Sequence, residues 1–88
     1  MEFYELKNKV IDQGGEHHFF DPDTLKFFGE RLSDMKVLKN KVQVTDVCGE
    51  VHTCYCVSAK RRKNWNGPCK PYTHYHYFDV ETYHHITV

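Results

Sequence analysis

The alternation of hydrophobic and polar residues along the chain predicts several short strands. Residues 3–11, FYELKNKVI, alternate loosely and include aromatic and β-branched residues, so we expect a first strand there. Residues 41–59 contain two alternating runs around the turn residues CGE, which indicates a β-hairpin. Residues 60–73 contain Asn, Gly and two prolines and are expected to form a loop, followed by strands over 74–80 and 83–88.

A different pattern, with apolar residues three and four positions apart, predicts a helix over about residues 22–34. Asp21 suits the N-cap position, and Pro22 suits the first helical position. The apolar stripe consists of Leu25, Phe28, Leu32 and Met35, widened by Phe27. Gly29 falls inside this segment, where a glycine lowers helix stability by roughly 1 kcal/mol relative to Ala and allows close approach to a sheet.

Together these elements predict an α+β fold in a single small domain spanning residues 1–88. One helix packed on a four- or five-stranded, mainly antiparallel sheet buries the apolar face of each. The side chains expected to meet in the core are Phe27, Phe28, Leu32, Met35, Val42, Val44, Tyr55, Val57 and Phe78.

The segment HTCYC, residues 52–56, lies in the second strand of the predicted hairpin. Side chains of a strand alternate between its two faces, so every second residue shares a face. The face expected to join the core consists of Val51, Thr53, Tyr55 and Val57. The opposite face consists of His52, Cys54 and Cys56.

Length and composition favour a small globular protein. The chain has 88 residues, 40% of them hydrophobic, and six Phe, six Tyr and one Trp supply apolar surface for a thin core. No apolar run approaches the ~20 residues of a membrane span. The N-terminus also lacks the apolar region of a signal peptide. We therefore expect a cytoplasmic protein with no membrane partner, whose four cysteines are free thiols or ligands rather than disulfides.

Pairs of cysteines and histidines make zinc a candidate ligand. Cys54 and Cys56 share one face of a strand, and His74 and His76 share one face of a later strand. If the two strands are neighbours, four ligands could converge on one ion. However, the C-x-C and H-x-H spacing is a weak metal signal, and buried free cysteines are common. The sequence favours free thiols without a metal, with zinc held by these four residues as the alternative.

The formal net charge of zero conceals an uneven charge distribution. Residues 1–50 contain ten acidic and seven basic residues, whereas residues 51–88 contain two acidic and five basic residues. The stretch from Val51 to Phe78 contains no acidic residue. One interpretation is a solvated basic loop, and the other is a patch that binds phosphate groups or an acidic protein.

Basic and aromatic residues of this stretch are the candidate partner-binding residues. They are Lys60, Arg61, Arg62, Lys63, Trp65, Lys70, Tyr72 and Tyr75. Cations neutralise phosphates and exposed aromatic rings stack on unpaired bases, so a small nucleic-acid-binding protein that uses residues 60–77 is one hypothesis. Aromatic and Arg side chains also dominate protein interfaces, which makes a protein partner the other. In the structural alternative, Trp65 fills the core and the lysines keep the sheet edge soluble.

Two motifs carry a resemblance to other proteins. The first is F-F-x-x-x-T-x-x-F-F-G, which runs from Phe19 to Gly29, and the second is Y-F-D-x-x-T-[FY], which runs from Tyr77 to Tyr83. In this combination the chain resembles, over most of its length, small uncharacterised proteins encoded by bacteriophages and other mobile elements. The resemblance implies a helix that precedes a hairpin. It implies no catalytic residue set, and the cysteines and histidines do not belong to its motifs.

The resemblance favours a non-enzymatic accessory protein that binds and inhibits a host macromolecule, in the manner of an anti-defence or anti-CRISPR inhibitor. A host protein is the favoured partner and a nucleic acid is the alternative. An enzyme is disfavoured because so short a chain rarely builds a deep substrate pocket. The sequence also contains no glycine-rich phosphate loop, and no group that would orient a Cys–His pair is identifiable.

Overall fold

The computed structural model describes residues 1–14, 20–27, 29–61 and 72–87. Within these ranges the helices are α1 (Phe3–Asp12), α2 (Pro22–Phe27) and a 3-10 helix (Leu32–Asp34). The strands are β1 (Lys36–Val37), β2 (Val42–Thr45), β3 (Val51–Arg61), β4 (Tyr72–Asp79) and β5 (His85–Ile86). The predicted α+β class is confirmed. None of the described helices is long and apolar enough to cross a membrane.

Strand β3 is the centre of the antiparallel sheet. The strand order is β1-β3-β4-β5, and β2 also pairs with β3. β4 pairs with β3 along its whole length, whereas β1 and β2 share the other edge of β3, opposite its second half and its first half. β5 pairs with β4 at two positions only. The long β3–β4 pair therefore sets the register of the whole sheet.

The predicted hairpin over residues 41–59 is confirmed as β2 and β3. Its turn is held by Asp46, whose side-chain Oδ1 accepts hydrogen bonds from the amides of Cys48 (2.8 Å) and Glu50 (2.9 Å). The later strands over 74–80 and 83–88 are also confirmed, although β5 covers only His85–Ile86. Strand β3 continues to Arg61, which lies inside the segment expected to be a loop.

The pairing register separates the side chains into two faces, because directly paired residues of an antiparallel sheet lie on the same face. The helix face carries Tyr55, Val57, Ala59, His74, His76 and Phe78. The open face carries Lys36, Val42, Val44, His52, Cys54, Cys56, Ser58, Lys60, Thr73, Tyr75, Tyr77 and Asp79. The helices pack on the helix face.

The main hydrophobic core forms between the helix face and residues of the first 35 positions. Its buried members are Phe3, Leu6, Val10, Phe20, Leu25, Met35, Val57, Ala59 and Phe78. The ring of Phe20 stacks on that of Phe78, with centroids 6.2 Å apart and planes inclined by 10°. Burial of these side chains provides the main driving force for folding.

The expected strand over residues 3–11 is wrong, since this segment forms the helix α1. Its buried residues are Phe3, Leu6 and Val10, spaced three and four apart, which is the period of a helix rather than of a strand. Glu5, Lys7 and Lys9, which lie between them, are good helix formers. The aromatic and β-branched residues suggested a strand, but the spacing of the buried positions decided the structure.

The expected helix over about 22–34 begins as predicted and ends early. The amide of Thr24 donates to Asp21 Oδ2 (3.1 Å), which confirms the N-cap. The helix stops at Phe27 because Gly29 adopts φ +70°, a left-handed conformation. The amide of Gly29 donates to the carbonyl of Lys26, and the amide of Glu30 donates to that of Leu25, which together form a Schellman cap. Gly29 is therefore a helix terminator.

The composition of the core differs from the prediction at several positions. Leu32 packs against the cluster and Met35 belongs to it, as expected, but Phe27 is 79% exposed. Val42 and Val44 lie on the open face. Val51 and Thr53 are exposed because the buried cluster covers β3 only from Val57 onwards, with Tyr55 packed at its margin. The side chain of Phe28 lies outside the described residues.

The Schellman cap makes a stability prediction. The substitution Gly29→Ala should lower the free energy of unfolding by about 1–2 kcal/mol, because a Cβ atom strains the left-handed backbone. Gly29→Asn should cost less, since Asn tolerates this conformation better. Urea denaturation of both variants measures the difference. Equal stability of the wild type and the Ala variant would contradict the proposed terminator role.

Candidate functional site

The predicted partner-binding residues are divided between the two faces of the sheet. Lys60 is exposed and lies on the open face, together with Tyr75, which is 45% exposed. Arg61 and Tyr72 pair with each other on the opposite face. The structure therefore does not bring these four side chains to one surface. Arg62, Lys63, Trp65 and Lys70 lie outside the described residues.

The open face has a shallow apolar depression of about 250 Å³. All of its lining residues belong to the strands: Val42, Gln43, Val44, Cys56, Tyr75 and Tyr77. The small side chain of Cys56 is buried at its floor, opposite the larger Tyr77 on β4. Tyr75 rises beside it and is nearly half exposed. This face presents two aromatic rings on a rigid support.

The four residues predicted to hold zinc do not converge, which corrects that hypothesis. Cys54 and Cys56 lie on the open face, whereas His74 and His76 pair with Ala59 and Val57 on the helix face. The sheet itself separates the two pairs. Burial raises the pKa of both thiols, so they are protonated at neutral pH.

On the helix face, Glu30 is a buried carboxylate with two partners. Its Oε1 accepts hydrogen bonds from Nε2 of His76 (2.8 Å) and from Nε of Arg61 (3.1 Å). Burial alone would raise the pKa of Glu30, but the hydrogen bonds and charges of His76 and Arg61 outweigh it and hold the pKa below its usual value. Glu30 therefore links the segment after α2 to both central strands.

His74 extends this buried cluster. Its ring lies edge-on to that of His76, with centroids 4.7 Å apart. Burial lowers the pKa of His74, and the charge of Arg61 adds to this effect, so the ring is neutral at physiological pH. A cleft of about 460 Å³ lies beside Glu30, between α2 and the 3-10 helix. The carboxylate that lines this cleft is already engaged by its two internal partners.

A second polar cluster lies at the far end of the open face, around His52. Its Nε2 is 2.7 Å from Oδ2 of Asp46, and its Nδ1 is 3.0 Å from Oδ2 of Asp79. Both ring nitrogens donate only when the imidazole is protonated. The hydrogen bonds to Asp46 and Asp79 accordingly raise the pKa of His52 above its ordinary value. We call this arrangement the histidine clamp.

The histidine clamp joins two turns of the sheet. Asp46 organises the β2–β3 turn, while Oδ1 of Asp79 accepts hydrogen bonds from the amides of Glu81 (2.7 Å) and Thr82 (3.0 Å) in the β4–β5 turn. The pKa of Asp46 is lowered mainly by its hydrogen bond to His52. Burial opposes ionisation of Asp79, but the turn amides and His52 keep its pKa below the usual value. Both carboxylates are therefore ionised at neutral pH.

Glu50 stands close enough to this clamp to suggest a cation site. One ligand atom from each of Asp46, Glu50 and His52 lies within 4.8 Å of the others. The ring nitrogens of His52 nevertheless both face carboxylates at hydrogen-bond distance, which is the geometry of an imidazolium rather than of a metal ligand. The cluster is explained by its internal ion pairs.

The sequence contained usable indications of the histidine clamp. It contained none of the Glu30 cluster, which consists of Glu30, Arg61, His74 and His76. Asp46 precedes a Gly-containing turn and Asp79 precedes the turn at Val80–Thr82, and Asp side chains at the start of a turn commonly accept amide hydrogen bonds. A hairpin register would then have placed His52 near Asp46. Glu30 gave no comparable indication, because its position depends on the early end of α2 at Gly29.

Comparisons of the chain with protein-family models, with curated proteins and with solved structures find no match.

The Glu30 cluster predicts a large stability effect. Glu30→Gln should lower the free energy of unfolding by about 2–4 kcal/mol, because it removes the negative charge between Arg61 and His76. Glu81→Gln, at an exposed turn position, is the matched control and should be close to neutral. Chemical denaturation at neutral pH measures both. Similar small effects for the two variants would show that the cluster contributes little.

The histidine clamp predicts a pH dependence. Because folding raises the pKa of His52, its stabilising contribution is complete below the ordinary pKa of 6.5 and is lost as the pH rises through the raised value. His52→Asn should therefore destabilise the protein more at about pH 5.5 than at about pH 8.5. His84→Asn, at an exposed histidine, should show no such difference. A destabilisation by His52→Asn that does not change over this range would contradict the clamp.

Proposed function

We propose that this chain is a non-enzymatic accessory protein, of the kind encoded by bacteriophages and mobile elements, that binds and inhibits a host macromolecule. The observation that carries this proposal is the open face, where Tyr75 and Tyr77 help to line a shallow depression formed by strand residues. The resemblance of the two sequence motifs to phage-encoded proteins supports the biological setting.

Tyrosines on the surface of a rigid sheet are well suited to binding, and here Tyr75 is 45% exposed whereas Tyr77 is half-buried. A tyrosine supplies a large contact area and a polar hydroxyl, yet it loses little conformational entropy when it is immobilised. Tyr75 and Tyr77 lie on β4, which is paired to β3 over eight positions and anchored by the buried Phe78. Because the support is already ordered, little of the binding energy is needed to organise it.

Binding is favoured over catalysis because the clustered reactive side chains around Glu30 and His52, and the two strand cysteines, have internal roles. Glu30 Oε1 accepts two hydrogen bonds, and both nitrogens of His52 face carboxylates. Cys54 and Cys56 are buried, with pKa values raised by that burial. General acid–base or nucleophilic catalysis needs such groups to be accessible to a substrate.

The proposal predicts that binding depends on the open face. The tagged protein should capture a macromolecule from a bacterial host lysate, and the double substitution Tyr75→Ala, Tyr77→Ala should reduce the captured amount strongly. Tyr4→Ala is the matched control, since Tyr4 is a 56% exposed tyrosine on α1 and lies away from the sheet. Quantitative mass spectrometry and nucleic-acid quantification of the captured material, with and without nuclease treatment, provide the measurement.

Retained circular dichroism and thermal stability of the double variant establish that it is folded. The proposed function fails if the wild type captures nothing above the background of an unrelated tagged protein. It also fails if the open-face variant and the Tyr4→Ala control capture the same material in equal amounts.

A further inference from the structure

We propose that the open face binds single-stranded nucleic acid, with bases stacked on Tyr75 and Tyr77 and phosphates held by Lys36 and Lys60. This inference rests on the proposed function of the open face and names the chemical class of its partner. It differs from the earlier hypothesis of a nucleic-acid-binding segment over residues 60–77, because all four residues of this surface lie on the described strands β1, β3 and β4.

The register places the four side chains close together. Lys36 pairs with Ser58, and Ser58 pairs with Tyr75, so these residues form one row across three strands. Lys60 pairs with Thr73 in the next row, and Cys56 pairs with Tyr77 in the row on the other side. The two lysines therefore lie on the same face as Tyr75 and Tyr77, on the β1–β3 side of β4.

Charges along the open face are segregated. Lys36 and Lys60 are both exposed, and no described carboxylate forms an ion pair with either. Asp46, Glu50 and Asp79, the acidic residues on β2–β4 and in the β2–β3 turn, gather around His52 at the end of the sheet away from Lys36 and Lys60. We call the part of the open face around Tyr75, Lys36 and Lys60 the tyrosine end, and the part around His52 the clamp end. A polyanion is attracted to the tyrosine end and repelled from the clamp end, and this is the charge complementarity that a phosphate backbone requires.

The spacing of the tyrosines suits successive bases. Residues two apart on a strand lie about 6.6–6.8 Å apart, so Tyr75 and Tyr77 offer two consecutive stacking positions. Antiparallel sheets with exposed aromatic residues bind two or three unstacked bases in this manner. A duplex keeps its bases paired and stacked inside, so the face selects single strands.

The lysines distinguish a nucleic acid from a protein as the partner. Lys is depleted in the centre of protein interfaces, where its desolvation is costly, whereas phosphate binding uses it directly. On this face Lys60 lies diagonally across from Tyr75, and Lys36 lies in the same row as Tyr75 with Ser58 between them. Arg61, by contrast, is hydrogen-bonded to Glu30 on the helix face and is not part of the surface.

The test is fluorescence anisotropy of the full chain with labelled oligo(U) and oligo(dT) of about 12 nucleotides, and with a duplex competitor. We expect saturable binding of at least one single strand, little competition by duplex, and affinity that falls as salt rises. Tyr75→Ala should weaken binding at least about fivefold, and Tyr75→Phe should restore it because the stacking ring is kept. Lys36→Ala or Lys60→Ala should reduce the salt slope by about 0.7 each.

The matched controls are Tyr4→Ala and Lys7→Ala on α1, where the lysine ammonium lies 5.9 Å from the centre of the tyrosine ring. These variants should bind as the wild type does. The inference is overturned if neither oligonucleotide binds at about 50 mM salt. It is also overturned if the α1 variants weaken binding as much as the open-face variants.

The same variants separate this inference from the proposed function. If capture from lysate requires Tyr75 and Tyr77 but is insensitive to nuclease, and the oligonucleotides do not bind, the open face is a protein-binding surface. The proposed function then stands and the nucleic-acid inference fails. If neither capture nor oligonucleotide binding depends on the open face, both fail.

Discussion

Strand β3 pairs with three other strands, and the alternation of its side chains decides what each face of the sheet contains. Val57 and Ala59 are buried under the helices, while Cys54 and Cys56 are buried on the other side. A shift of the register by one residue would exchange these two sets. The shift is opposed on both faces at once, because the hydrophobic core fixes Val57 against Phe78 and its neighbours, and the histidine clamp fixes His52 beside Asp79.

Buried polar contacts supply directional constraints that the small apolar core lacks. Glu30 follows the Schellman cap, and its hydrogen bonds to Arg61 and His76 reach the two central strands. Such a cluster adds less net stability than apolar packing of the same volume, because desolvation of the charges offsets their attraction. Its effect is to fix one arrangement of the α2 segment on the sheet. Gly29 thus has a consequence beyond the end of the helix, since it positions the carboxylate that joins the two layers.

The sequence predicted the fold class and the strands of the second half because alternation there extends over long runs. The prediction of a strand at α1 was wrong. It relied on the aromatic and β-branched residues of this segment, although Phe3, Leu6 and Val10, which are buried, have the spacing of a helix. The length of the second helix also failed, since apolar residues continue past Gly29 at helical spacing while the backbone turns away. Local patterns could not reveal either outcome with certainty, because tertiary packing selects between competing local preferences.

The prediction of a functional site from sequence depends on the pairing register of the strands even more than the prediction of helices and strands does. Cys54, Cys56, His74 and His76 share suitable spacings within each strand, yet the relative register of β3 and β4 determines whether the pairs meet, and here it separates them. The same register brings together residues that are far apart in sequence and carry no joint motif, such as Lys36 and Tyr75. Which residues pair across strands is decided by contacts between distant parts of the chain. These contacts form only when the whole chain folds, so no local sequence pattern reveals them.

The division of the open face into two ends explains why a net charge of zero says little about the partners of this chain. At one end, two of the three nearby carboxylates, Asp46 and Asp79, are neutralised in part by His52 and by turn amides. At the other end, Lys36 and Lys60 stand without a described carboxylate between them and the tyrosines. Charges interact over roughly 8–10 Å at moderate salt. An approaching ligand therefore responds to the charges at the end of the face that it contacts, and not to the net charge of the chain. The clamp that fixes the turns therefore also holds the charges of Asp46 and Asp79 at its own end of the open face, away from Lys36 and Lys60.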